Sequence, residues 1–404
     1  MKPLIALIAD GRLIITALDG SSKTHECQFA ADILRRQQQS SEKNSWMRGD
    51  QNGGNGGMFS SSTIWGKRGT SSPGESARPM IIAIEGGDRT DSMVYALWTG
   101  MVGAFLDYDF NEKYERRVFH RENFQVSHLD RNPLDGRLIC RVGDQQGARI
   151  ALLDSDGRNS RLVTEGDSLD GAPSWIPGST DSILYHSAGL SRTANGQVMG
   201  LGPHAIHRLN FSSHDLETLL EGPDHDYLAP QMDARGVLHC LRRDYEGSGG
   251  TQPSIWTTVK DALLFPFRLF RVLVDFFQIL SQLVSRKPLV TAGQQKLEGP
   301  KPMQLWIHGR LIDREKAGKS NSPDDALAPA DWVLVRREPD GRETVLAKHA
   351  LAYDIGKNGD IIWSDGRNLH HLKAGTSKKI LTKPLIDTVK WIEPSEHAQS
   401  PTPA

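Results

Sequence analysis

Residues 126–185 read VSHLDRNPLDGRLICRVGDQQGARIALLDSDGRNSRLVTEGDSLDGAPSWIPGSTDSILY. A short apolar run leads into a Pro/Asp/Gly turn and a second run, Arg137-Leu138-Ile139-Cys140. A third run, Ala148 to Leu153, ends at Asp154-Ser155-Asp156-Gly157. A fourth, Ser160 to Val163, closes the unit, and the pattern restarts at Ala172-Pro173-Ser174-Trp175. Four short strands joined by tight turns form one antiparallel sheet. Such a sheet cannot bury both faces alone, so repeated copies are expected to stack radially as a propeller.

Outward from this unit, its turn recurs. Copies stand at Asp10-Gly11-Arg12, Asp91-Ser92-Met93, Asp135-Gly136-Arg137, Asp181-Ser182-Ile183, Arg235-Gly236-Val237 and Gly359-Asp360-Ile361. From Ile14 through Val94, Ile139, Leu184 and Leu238 to Ile362 the intervals are 80, 45, 45, 54 and 124 residues. About 45 residues is one four-stranded blade, and the copies predict an all-β, six-bladed β-propeller over 1–393. Outer hairpins are expected at 103–109 with 116–120, 149–153 with 160–163, 205–210 with 216–220, 332–337 with 343–347, and 369–372 with 379–381. The final run, Thr388-Val389-Lys390-Trp391-Ile392, has no hairpin after it. It is predicted to close the ring beside 4–17, which removes open sheet edges.

This repeat resembles the TolB-type β-propeller family, well over 80–245 and less fully over 330–393. The resemblance implies the propeller fold but no single function, because propellers host scaffolds, receptors and enzymes. Many TolB-type propellers are exported. Some related propellers belong to serine hydrolases, and others are lyases that use His and a divalent metal on acidic sugars.

Composition agrees with an all-β chain: 38% apolar residues, 39 Gly and 21 Pro among 404. A formal net charge of −1 favours neither nucleic acid nor a cation store. Cys27, Cys140 and Cys240 are widely spaced with no CxxC, so they read as free thiols rather than a disulfide framework or zinc site. The apolar run Leu4–Ala9 is cut by Asp10-Gly11-Arg12, too early for a signal-peptide core. The expectation is a cytoplasmic protein, at the inner face of a membrane if the segment described next meets lipid.

Two long intervals mark insertions. Residues 32–78 carry Gln37-Gln38-Gln39 and Gly53-Gly54-Asn55-Gly56-Gly57, a low-complexity loop, with room for an outer strand near Ser62–Lys67. Residues 248–330 form the second insertion, in blade five. A seventh blade around Met303–Asp313 stays open there, because Gly309-Arg310-Leu311-Ile312 mimics the repeat turn. Within this insertion, 254–286 reads SIWTTVKDALLFPFRLFRVLVDFFQILSQLVSR, a helix begun or broken at Pro266 with a narrow polar stripe. Its apolar face includes Leu263, Phe267, Phe270, Leu273, Phe277 and Leu280, the expected interaction surface. Lipid, a protein partner, a second copy of the chain and the propeller's own flank all remain candidates to cover it. Residues 394–404 read as a frayed tail.

Signals for chemistry are weak. No G-x-S-x-G elbow exists. His128, His186, His204, His207, His225, His239, His370 and His371 show no ligand spacing that demands a metal. Asp107, Asp109, Asp130, Asp154, Asp156, Asp167, Asp170, Asp224 and Asp226 are accounted for as turn residues. Arg116-Arg117, Arg242-Arg243 and Arg336-Arg337 read as solvated blade edges. No catalytic, cofactor or metal site is assigned. The reading is a non-enzymatic interaction scaffold with a protein partner and no nucleic acid. The alternative is a lyase or hydrolase acting on a glycan or small substrate at the central funnel.

Overall fold

The computed structural model describes residues 3–36, 79–246 and 326–392 almost throughout, with backbone strands at 304–307 and 310–313. The chain is mostly β. It opens with β1 (Leu4–Ala9), β2 (Arg12–Ala17) and β3 (Ser22–Thr24), followed by a helix over 28–36. Asp10 and Gly11 both have positive φ, 52° and 72°, and Ala9 pairs with Arg12. That is the two-residue hairpin turn that an Asp-Gly pair favours. The predicted loop over 32–78 therefore begins as helix at 32–36, and its remainder lies outside the described residues.

The sheet β4 (Met80–Gly86), β5 (Ser92–Trp98), β6 (Val102–Asp109) and β7 (Tyr114–Glu122) is a simple antiparallel meander. Next come β8 (Val126–Arg131), β9 (Leu138–Asp144), β10 (Gly147–Leu153) and β11 (Arg161–Leu162). They lead into β12 (Ser168–Trp175), β13 (Ser182–Arg192), β14 (Val198–Leu201), β15 (Ala205–Asn210) and β16 (Leu216–Leu220). Hydrogen bonding runs continuously from β8 to β16, but β10 meets β12 only at the parallel bridge Ala148–Leu169. The two halves are thus separate antiparallel units touching at one rim.

Strands β17 (His225–Met232) and β18 (Leu238–Asp244) pair with β21 (Val333–Arg337) and β22 (Glu343–Lys348). Between them, β19 (Gln304–Ile307) and β20 (Arg310–Asp313) form a separate two-stranded hairpin among the described residues. Finally β23 (Ala352–Ile355), β24 (Ile361–Ser364), β25 (Asn368–Lys373) and β26 (Thr376–Thr382) form one more antiparallel sheet. The last strand, β27 (Ile386–Ile392), pairs antiparallel with β1 and completes the order β27-β1-β2-β3. The five predicted outer hairpins and this closure all coincide with observed pairings.

Two details differ from the sequence reading. The fourth strand of the closing sheet is β3, so no outer strand from 62–67 is needed. The Asp10-Gly11 turn joins the second and third strands of its sheet, whereas Gly136, Gly236 and Gly359 join first to second. The long first interval counts this one-strand offset together with the loop.

First strands pack on first strands: β27 on β4, β4 on β8, β8 on β12, β12 on β17, and β23 on β27. Gln231 links β17 to β23 by accepting from Ile355 N at 3.2 Å. Each pair of neighbouring sheets encloses its own apolar cluster. Ala6, Ile8 and Leu13 meet Ile84, Met93 and Leu97. Ala83 and Val94 meet Leu129 and Cys140, and Ile139 and Ile150 meet Trp175 and Ile183. Leu184 and Ile206 meet Leu238 and Val335, Leu228 and Leu334 meet Tyr353 and Trp363, and Ile362 and Leu369 return to Ile5 and Val389. The core is distributed between sheets rather than gathered in one place, as propeller-type radial packing requires. The segment 254–286, expected to be helical, with Leu263, Phe267, Phe270, Leu273, Phe277 and Leu280, lies outside the described residues, as does the tail from 394. Among the described residues, no helix is long and apolar enough to cross a membrane.

Candidate functional site at the ring centre

Four of the first strands carry a charged residue directly after a buried apolar or aromatic one. Glu85 follows buried Ile84, Asp130 follows buried Leu129, Asp354 follows buried Tyr353 and Lys390 follows buried Val389. Strand alternation turns the apolar residue into one inter-sheet core and the polar one toward the axis. The Lys390 ammonium then meets Glu85 Oε2 at 2.6 Å, Asp130 Oδ1 at 3.3 Å and Asp354 Oδ1 at 3.4 Å. One lysine on β27 thereby ties together β4, β8 and β23.

A second set of bonds runs strand to strand. Asp130 Oδ2 accepts from Trp175 N at 2.7 Å, and Asp354 Oδ2 accepts from Trp391 N at 2.7 Å. Together with the Gln231–Ile355 bond, these make one device used three times. A side chain on one first strand takes the backbone N–H that follows the polar residue of another first strand. Ser174 works in the opposite sense and donates to Pro230 O at 2.7 Å.

Electrostatics follow from crowding three carboxylates on one ammonium. Burial pushes the Glu85 carboxyl up to about 8, opposed by Lys390 and reinforced by Asp130 and Asp354. Burial also raises Asp354, against the pull of Lys390. Burial works against the Lys390 charge, but Asp354, Glu85 and Asp130 outweigh it and hold the amine well above its ordinary value. The centre therefore resists ionisation of Glu85 while it holds Lys390 in its charged form. Among the described residues, no group of three or more His, Cys, Asp or Glu is arranged to hold a metal.

The linkage has a definite sign. Glu85 binds its proton more tightly in the folded chain, about 8 against an ordinary 4.5, so its contribution is full at low pH and is lost as pH rises toward 8. Asp387, pushed by burial to about 7, acts in the same direction. Glu85→Gln should shrink the fall in unfolding free energy between about pH 5 and pH 8.5 by on the order of 2 kcal/mol. Urea titrations at the two pH values measure it. An undiminished fall in the variant would show that Glu85 is already ionised at neutrality.

The other polar groups serve as joints. Glu115 on β7 accepts from Phe29 N at 3.1 Å and Tyr95 Oη, and contacts His25 Nε2 at 3.2 Å. These bonds overcome burial and hold its carboxyl below the ordinary value, while burial pushes the nearby Cys27 thiol up to about 11. The group fastens the segment after β3 to the neighbouring sheet and leaves the thiol unreactive. Asp226 on β17 bonds His204 Nδ1 at 3.0 Å and Arg243 Nε at 2.9 Å. Arg243 also stacks over Trp332 at 4.9 Å and is buried, so it is not the solvated edge expected of the Arg242-Arg243 pair. His370 and His371 pair with Asp365 and Asp360 at 3.2 and 3.3 Å.

The six proposed interaction residues of 254–286 thus fall outside the described structure, and the central site comes from residues that sequence reasoning passed over. Asp130, Asp170 and Asp226 belong to first strands, and Asp107 to β6, rather than to turns.

No family model matches the chain, and no curated protein sequence matches it. Among solved structures it is similar to a chain of the nidogen/laminin complex, with a TM-score of 0.48 and 8% identity over 96% of this chain and 98% of that one. It is similar to TolB from Acinetobacter baumannii, at TM-score 0.48 and 9% identity over 96% of this chain and 66% of that one. It is also similar to the tricorn protease, at TM-score 0.44 and 12% identity over 96% of this chain and 34% of that one. Identities of this size carry no activity, ligand or partner across to this chain.

Proposed function

We propose that the chain is a six-bladed, TolB-like β-propeller that serves as a non-enzymatic interaction scaffold in the cytoplasm. The observation that carries this reading is Lys390 filling the ring centre, where its three carboxylate partners are engaged in holding strands together. A centre used as a structural joint leaves recognition to the flanks and insertions. The largest excursion, 245–332, leaves β18 and re-enters at β21, which are hydrogen-bonded neighbours in one sheet. Its two ends therefore start from the same place, which disfavours a single membrane crossing within it. Its apolar segment 254–286 is the proposed contact surface, presented to a protein partner, a second copy or the surface of a membrane.

Liposome flotation and sedimentation of the purified chain test this. Wild type should float with anionic vesicles or self-associate, and Phe270→Asp with Phe277→Asp should abolish both with circular dichroism unchanged. Unfolding of that double variant would instead mean that the segment packs on its own propeller.

The alternative reading is an enzyme acting on a glycan at the ring centre. The observation in its favour is Glu85, a carboxyl that keeps its proton near neutrality beside Asp130, the kind of pairing that acid–base chemistry on sugars employs. Turnover of an oligosaccharide that disappears in Glu85→Gln would displace the scaffold reading.

A further inference from the structure

We propose that the cleft between the β4–β7 sheet and the β8–β11 unit binds a phosphate monoester carrying a small apolar group, with Arg131 as its anchor. This site is separate from both the ring centre and the 254–286 segment. Arg131 is the strand neighbour of Asp130, so alternation sends it away from the axis and into this cleft. Its Nε and Nη1 atoms are buried and, among the described residues, have no hydrogen-bond partner. A guanidinium carries five donors and cannot shed its charge, so leaving it unanswered is unfavourable unless an anion arrives.

The cleft is shaped for one. Its volume is about 340 Å³, at the small end of ligand sites. Arg116, Arg117 and Arg158 also line it, so four arginines face only two aspartates, Asp107 and Asp156. The pairs Arg116–Asp107 at 3.2 Å and Arg158–Asp156 at 3.6 Å have largely exposed arginines, and Arg117 stacks over Phe29 at 5.1 Å. None of these bonds engages Arg131. Its Nη1 and the Ser155 Cβ lie 3.7 and 3.2 Å from the point a Cβ on Gly136 would occupy. Guanidinium and seryl side chain therefore flank one opening. The remaining wall is apolar, formed by Val94, Phe105, Val118 and Leu138. The excess of two positive charges matches a phosphate monoester, close to a dianion at neutral pH, better than a single carboxylate. The apolar wall selects an ester over the inorganic ion.

Isothermal titration with phenyl phosphate, inorganic phosphate, benzoate and phenol tests the assignment. Phenyl phosphate should bind saturably at one site per chain, at least ten-fold more tightly than each of the other three. Arg131→Met should weaken phenyl phosphate at least ten-fold, and Arg12→Gln, at an exposed position at the start of β2, should not change it. Because Nε and Nη1 of Arg131 have no hydrogen-bond partner to lose among the described residues, Arg131→Met should keep or raise the thermal midpoint of the ligand-free chain. Arg158→Gln, at the exposed rim, should weaken phenyl phosphate several-fold at an unchanged midpoint, which keeps the test open should Arg131→Met fold poorly. Absence of saturable binding, equal affinity for inorganic phosphate and phenyl phosphate, or full affinity in either cleft variant would overturn the proposal. A lowered midpoint in Arg131→Met together with full affinity in Arg158→Gln would make Arg131 a structural residue.

Discussion

Lys390→Met should destabilise the fold by about 3–5 kcal/mol at pH 7.5, the usual consequence of removing one partner from a buried ion-pair group. The amine stands between Glu85, Asp130 and Asp354, which sit on three different first strands. Without it, three carboxylates share a poorly hydrated space, and each remaining negative charge opposes the others. Protonation relieves that repulsion. The defect should therefore shrink as pH falls toward 5, whereas a packing defect would be the same at both values. Chemical denaturation of wild type and variant at the two pH values separates these outcomes. A Lys390→Met chain with full stability at pH 7.5 would show that the strands hold the ring without their central cation.

Removal of residues 386–404 should abolish cooperative folding. The deletion takes away β27, including buried Ile386, Val389, Trp391 and Ile392. At about 1.5–3 kcal/mol for each large apolar side chain, the loss is roughly 6–12 kcal/mol, comparable with the whole stability of an ordinary domain. The same cut exposes the edge of β1 along its whole length and strips Asp354 of the Trp391 N–H that it accepts. Scanning calorimetry should show no sharp transition in the truncated chain, and a synthetic peptide spanning 384–394 should restore one by refilling the gap. A sharp transition within a few degrees of wild type would refute the role of β27 as the closing strand.

How far these features could be read beforehand depended on whether the signal was local. Strand pairs such as 149–153 with 160–163 were legible, because apolar alternation and an Asp-Gly turn lie within one short window. Closure of β27 on β1 was legible for a different reason: a run without a hairpin partner needs an edge, and the first strands offered one. The ring centre was not legible. Glu85, Asp130, Asp354 and Lys390 meet only after four sheets have taken their places, and no spacing along the chain encodes that meeting. Asp130 was mistaken for a turn residue because Asn132-Pro133-Leu134-Asp135-Gly136 begins two residues after it. Arg243 looked like a surface charge until Asp226 and Trp332, from elsewhere in the chain, enclosed it. The apolar wall of the arginine cleft, with Phe105 and Leu138 on opposite sheets, is likewise a product of packing rather than of any motif.

The pairing of β27 with β1 also sets a timetable for synthesis. Sheets β4–β7 and β23–β26 are each made of consecutive strands and can form as soon as they leave the ribosome. The β27-β1-β2-β3 sheet cannot, because its innermost strand is translated long after the other three. Strands β1 to β3 must wait, with one edge open, until the strands of every other sheet have been made. Lys390 arrives in the same final stretch, so Glu85, Asp130 and Asp354 stay unneutralised until then. A nascent chain that stops short of Ile386 therefore keeps the inner edge of β1 unpaired.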